Sequence, residues 1–417
     1  MSGSHLRLIA SRMLRSLWFR PALYAILALA VLATAPFVAH LLPDGLMKLI
    51  GLSGVYDLLD ALANTLLAVA IFSLGIMASS LHAASASTSP RVRPLLVEDS
   101  TARAAISTFI GGFVFAVVGI VGLSTGYYSD ASKVLLFFVT CALLLGLIVT
   151  LIRWIARLSR LGGVAEAVDL VEAATRQSLR ELAGDPLLGG APVSARPRDG
   201  VPVLPGKPGF VQAVDTESLG CLAEEMRTDL HLLARPGAFV GPGRPLLLTL
   251  RTLSEEEESR LRAAFLVGGQ RTYEKDPRFG LTVLSEIALR ALSPAVNDPG
   301  TAIGVIATST ALLSDWAAQA AAACPSVRHP RLHVERLPVE DLVEDAFRWI
   351  ARDGAAMLEV QLWVQKGLGM LVAQDEARFG PAARRLAAEA LDRAETSLTL
   401  PADREALRLV AWIAHPA

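Results

Sequence analysis

The sequence predicts a multi-pass α-helical membrane protein with four transmembrane helices. A cytoplasmic α+β domain follows, with a small β-rich subdomain and a C-terminal helical bundle. Three observations predict this. The first 157 residues hold four long apolar runs, with no Asp, Glu, Lys or Arg in the middle of any of them. Arginines flank those runs mainly on one side. The rest of the chain alternates short strand patterns, Pro/Gly turns and amphipathic helical patterns. Charged residues make up only 19% of the chain, against about 25% in a soluble domain.

The runs are Pro21–Leu42, Leu62–Ala83, Ala105–Leu123 and Val134–Ile152. Each is close to the roughly 20 residues a membrane helix needs. Pro36 predicts a kink in the first. Asp44–Asp60 is amphipathic and either lies in the interface or extends the second helix outward.

Arg7, Arg12, Arg15 and Arg20 precede the first run. Arg91, Arg93 and Arg103 separate the second from the third, and Arg153, Arg157 and Arg160 follow the fourth. The opposite loops carry only Lys48 and Lys133, beside Asp44, Asp57, Asp60 and Asp130. Positive-inside bias then places both termini in the cytoplasm of a cell with the chain in its inner membrane. Trp18, Trp154, Tyr127 and Tyr128 stand where interfacial aromatics belong.

The predicted organisation is a cytoplasmic N-terminus (1–20), a four-helix transmembrane domain (21–157) and a helix with a Pro/Gly linker (158–209). A small α/β segment (210–252) and a mainly helical domain (253–417) complete it. In the α/β segment, Phe210–Val214 and Leu230–Ala234 read as strands around a helix over Thr216–Arg227. Val240, Gly243 and Leu246 have the spacing of a barrel-sandwich hairpin, but the modifiable lysine of a carrier domain is absent, so no cofactor is implied. Ser254 with Glu257 is a capping box, which explains the acidic run Glu255–Glu258 without a metal.

Composition and motifs exclude several function classes. The net charge is −1 and no dense basic tract appears, so nucleic acid is not an expected partner. Cys141, Cys221 and Cys324 are scattered, which fits no disulfide framework. Cys324, His329 and His333 suggest zinc, but Pro330 and a strand pattern over Leu332–Leu337 deny them a common helical face. No phosphate loop, dinucleotide fingerprint, His-Glu-x-x-His or Gly-x-Ser-x-Gly is present, so no enzyme activity and no catalytic residue is expected. No ionisable side chain falls at mid-membrane depth. His40 and His82 sit near the run ends, which weakens the proton-pump and voltage-sensor readings.

Two stripes remain. Ser73, Ser80 and Ser87 recur every seven residues and share a helix face with Met77. They read either as the neutral lining of a pore between subunits or as helix-packing hydroxyls. Thr108, Gly111, Gly112, Gly119 and Gly122 form a small-residue face that lets another helix approach.

The stretch from Arg271 to Ala302 is the most distinctive. Its end reads as a tight helix–turn–helix: Arg290 in the last turn, Ser293-Pro294 as the stop, Asn297, then Asp298 as N-cap and Pro299 in the first turn. With Trp18-Phe19-Arg20, Ser89-Pro90-Arg91, Thr108-Phe109-Ile110-Gly111 and the Arg235-Pro236-Gly237 turn, this stretch resembles domain-of-unknown-function family 2254, predicted bacterial membrane proteins. The resemblance runs over nearly the whole chain. It departs at His82–Ser89, which is Ala/Ser-rich and longer than the family's usual form. It implies architecture and no activity.

Two functions follow as expectations. One is a homo-oligomeric channel for ions or small solutes, lined by Ser73, Met77, Ser80 and Ser87, with a cytoplasmic regulatory domain. The other is a membrane-anchored sensor or scaffold whose cytoplasmic domain binds a ligand or protein partner.

Overall fold

The computed structural model describes residues 19–38, 52–97, 100–125, 130–158, 162–193, 197 and 199–411. The expectations for Arg7, Arg12, Arg15, Trp18, His40, Asp44, Lys48, Tyr127, Tyr128 and Arg160 lie outside the described residues. Two compact units form, one from Met1–Ser85 and Arg93–Glu166, the other from Ala86–Val92 and Ala167–Ala417.

The first unit is helical: α1 (Phe19–Val38), α2 (Leu52–Ser87), α3 (Arg93–Val97), α4 (Ser100–Ser124) and α5 (Asp130–Leu158). Gly54–Ala84, Thr101–Ser124 and Lys133–Leu158 are long and apolar enough to cross a membrane. The described apolar part of α1, Ala22–Val31, is shorter. α2 runs through Asp57 and Asp60, so the described part of the amphipathic segment extends the second helix. Leu59, Leu66, Ala70, Phe109, Phe115, Leu136 and Leu147 form the bundle core. Ile71, Phe72, Leu145 and Ile152 are exposed, the outward apolar surface that lipid requires. Trp154, near the end of α5, is 2% exposed and belongs to the bundle core, so its ring faces neighbouring helices.

The small-residue face of α4 is shared among three neighbours. A β-carbon at Gly111 would overlap the ring of Tyr24 on α1. One at Gly112 would fall 2.8 Å from Leu66 and 3.3 Å from Leu147, and one at Gly119 3.0 Å from Leu59. Thr108 Oγ1 donates to Ala104 O at 2.7 Å and so bonds its own helix. Gly122 is buried.

In the second unit, α6 (Val164–Gly184) leads into two sheets. Strands β1 (Gly190–Pro192), β2 (Val201–Val203), β4 (Leu230–Leu232), β6 (Leu247–Thr249) and β8 (His329–Val334) make a five-stranded sheet in the order β1-β8-β4-β6-β2. Strands β3 (Gly209–Val214), β5 (Phe239–Val240) and β7 (Phe265–Gly268) make a three-stranded sheet, order β5-β3-β7. The Pro/Gly stretch predicted as a linker therefore supplies β1 and β2. Both are edge strands, where Pro192 and Pro202 leave no ladder bond unmade on the open side. A tight turn closes at Pro242-Gly243, with Gly241 and Arg244 bridged antiparallel, but the flanking β5 pairs in the small sheet and β6 in the large one.

Between and after the strands lie α7 (Thr216–Glu225), α8 (Glu255–Ala263), α9 (Pro277–Leu292), α10 (Pro299–Ala322), α11 (Val339–Asp353), α12 (Leu358–Gln374), α13 (Glu376–Ser397) and α14 (Pro401–Val410). The capping box at α8 is formed by Ser254 and Glu257 as read. The α9–α10 corner is tight. Ser293 Oγ donates to Arg290 O at 2.7 Å, and Asp298 N donates to Ala291 O at 2.8 Å. Asn297 turns the chain at φ 50°, a conformation asparagine tolerates better than most residues. Asp298 accepts from Thr301 N at 3.1 Å and Thr301 Oγ1 at 2.6 Å. Both bonds hold its carboxyl below the usual range. Pro294 and Asp298 are exposed and Pro299 half-buried.

Candidate functional site

The serine stripe of α2 does not present one continuous surface. Ser73 is 1% exposed, among the residues that pack the bundle, and its Oγ is buried without a hydrogen-bond partner. Met77 and Ser80 are half-buried and Ser87 is exposed. Of the four expected lining residues, Ser73 is thus buried within the single chain. A buried hydroxyl at the heart of a helix bundle is what packing produces.

Chemistry concentrates elsewhere, in the second unit. A cavity of about 450 Å³ lies between the C-terminal end of α6, the start of α7, the Arg235 turn and the start of α9. That volume is in the range of small-molecule sites, roughly 300–1,000 Å³. Arg235, Lys275, Arg278 and Arg328 line it, with Glu181, Asp185 and Asp276.

Most of these charges are paired. Lys275 Nζ meets Glu181 at 2.6 Å and Arg328 meets Asp185 at 2.6 Å. Arg278 bridges Asp341 and Asp345, the latter at 2.6 Å. Burial pushes the Asp345 carboxyl up, and Arg278 opposes the shift. Asp276, 3% exposed, is gripped by Arg271 through two bonds of 2.7 and 3.0 Å. It also caps α9 at Phe279 N, 3.1 Å away.

Arg235 is different. Its Nη1 donates to Pro186 O at 3.1 Å and to Glu335 O at 2.6 Å. Among the described residues no carboxylate pairs with it, and its Nε and Nη2 atoms have no hydrogen-bond partner. Burial lowers its pKa to about 10, with Asp185 opposing, so it stays charged at neutral pH. Two backbone carbonyls therefore fix the guanidinium while its Nε–Nη2 edge is left over. That edge is the fork that takes carboxylate or phosphate oxygens two at a time.

The sequence marked Arg235-Pro236-Gly237 as a turn and as one of the motifs of the family resemblance, with no ligand role. The signals available were that motif and an arginine placed directly after the mainly apolar strand pattern Leu230–Ala234. The described residues hold no cluster of three or more His, Cys, Asp or Glu suited to a metal. Cys324 and His333 do not converge into one. His333 instead stacks on His231 across β4 and β8, with ring centroids 4.7 Å apart.

Helices long and apolar enough to cross a bilayer, in a chain that also folds an α+β unit with a ligand-sized cavity, define the class: a helical membrane protein with a second unit that contains sheet. The chain belongs to the DUF2254 family of predicted membrane proteins, whose profile matches residues 14–370. It is similar to the uncharacterized protein Rv1290c of Mycobacterium tuberculosis, 36% identical over 130 residues, which are 30% of this chain and 25% of that protein. The uncharacterized protein Mb1321c of Mycobacterium bovis matches equally, at 36% over 130 residues, 30% of this chain and 25% of the relative. The chain thus spans a quarter of the length of these curated relatives. No solved structure matches.

Proposed function

We propose that the protein is a membrane-anchored sensor whose α+β unit binds a small anionic solute at Arg235. The observation that carries this is the Arg235 guanidinium: its Nη1 is fixed by Pro186 O and Glu335 O, it forms no ion pair among the described residues, and it lines a ligand-sized cavity. Binding and not catalysis is the reading, because the described residues that line the cavity offer no nucleophile–base pair. Flanking arginines favour a cytoplasmic position for this unit in the inner membrane. Pro21–Leu42 supplies the fourth span, and the chain assembles as a homo-oligomer through its apolar helices.

The channel reading competes, and the burial of Ser73 weighs against it. Full-length protein in phosphatidylcholine nanodiscs separates the two. Inorganic phosphate should raise the melting temperature of the wild type and not of Arg235→Lys. Ser80→Leu and Ser87→Leu together, which leave the buried Ser73 in place, should leave the phosphate response intact. A planar-bilayer conductance abolished by those leucines, with no phosphate response, would establish the channel instead.

A further inference from the structure

A second cavity of about 210 Å³ adjoins the charged one. Leu182 and Leu337 line both, so they form the wall the two chambers share. The second chamber is of opposite character. Apart from Arg336 and Arg378, its lining is apolar, with Trp316, Ala320 and Val339 prominent. Arg378 is already committed. It lies 5.2 Å over the Trp316 ring, donates to Ala317 O at 2.9 Å and pairs with Asp375 at 3.3 Å. Trp316 is 8% exposed, and its indole N–H is buried without a protein acceptor. A well-packed core does not leave such a donor unmet, since an unsatisfied buried group costs about 1–3 kcal/mol.

We infer that the ligand is an amphipathic small anion: a phosphate or carboxylate head on the Arg235 fork, and an aromatic body that passes Leu182 and Leu337 into the Trp316 chamber, where its π face takes the indole N–H. This rests on the anion-binding reading of Arg235 and adds the apolar half of the ligand. A mixed site discriminates by both ends. The fork selects charge, and the chamber selects against anions that carry no apolar body. The body reaches the chamber only beside two leucines, whose side chains can change rotamer without breaking a hydrogen bond.

Calorimetric titration of the full-length protein in phosphatidylcholine nanodiscs, with phenyl phosphate and with inorganic phosphate, tests this. Phenyl phosphate is expected to bind about tenfold more tightly, the gain from burying one ring in part. Ala320→Phe fills the chamber and should erase that preference while phosphate binds as before. Trp316→Leu, which keeps the chamber apolar but removes the ring face and the indole N–H, should reduce the preference and serves if Ala320→Phe does not fold. Equal affinity for both compounds in the wild type overturns the amphipathic ligand and leaves the Arg235 fork standing. Absence of binding by both overturns the fork and the amphipathic ligand together.

Discussion

Gly237 lies directly against the carboxylate of Asp276, so close that a β-carbon at residue 237 would overlap it. The backbone there also has φ 92°. Two segments far apart in sequence thus meet at the cavity. The turn that presents Arg235 is packed on the residue that caps α9 and binds Arg271. The site is therefore a product of the fold, and its residues are hard to alter one at a time.

Gly237→Ala is expected to destabilise the protein by about 2–4 kcal/mol, from positive-φ strain plus the clash. Gly243→Ala is the control. It has φ 75° but nothing within 4 Å of the added carbon, so only the strain remains, about 1 kcal/mol. Thermal or denaturant unfolding of both variants measures the difference.

In the helical unit, Gly112→Leu is expected to lower the melting temperature sharply, because Leu66 and Leu147 leave no room. Gly75→Ala, with nothing within 4 Å, should be neutral or stabilising by up to about 1 kcal/mol, the helix propensity gained. Melting in detergent separates the two.

The segment that follows α2 is held by the second unit. Ser89 Oγ donates to Glu286 at 2.7 Å, Arg91 pairs with Glu286 at 2.6 Å, and Tyr273 Oη donates to Arg91 O at 2.9 Å. Burial pushes the Tyr273 phenol up, so it remains a donor throughout the neutral range. Because Arg91 is 54% exposed, its ion pair contributes less than about 1 kcal/mol, whereas Ser89 is 3% exposed. Glu286→Ala should then speed tryptic cleavage after Arg91 several-fold, and Arg91→Gln should leave folding almost unchanged. Equal cleavage rates in wild type and Glu286→Ala would remove the clamp.

His231 gives a pH dependence of known sign. Burial first, and His333 second, push its pKa below the ordinary 6.5, with Asp229 opposing. The unfolded chain then takes up the proton first as pH falls. Stability should be flat above pH 6.5 and decline below it, as melting temperatures from pH 7.5 to 5.5 would record. His231→Gln should flatten that decline. An unchanged slope in the variant assigns the loss to other groups.

Much of the fold was legible because it rests on local signals. Apolar runs gave the helices of the first unit, and Asp298, Pro299 and Ser254 announced helix starts that the structure forms. Edge strands β1 and β2 were not legible. Their Pro and Gly residues look like a linker until β8 and β6 are there to pair with. Trp154 shows a related limit: its position along the helix was readable, but the direction it faces depends on neighbouring helices. Ser73 shows the limit of periodicity, which finds a common face and cannot tell whether that face meets a pore or a neighbour. The cavity was hidden because Glu181, Arg235, Asp276 and Arg328 are dispersed over the chain, and only tertiary packing gathers them.

The most direct test of the central claim is a calorimetric titration of inorganic phosphate into full-length wild type and Arg235→Lys, with melting curves confirming that both are folded. Lysine keeps the charge and loses the planar fork. Saturable binding by the wild type, weakened at least about tenfold in Arg235→Lys, is the predicted result. Equal binding by the two folded proteins, or none by either, would contradict an anion site built on Arg235.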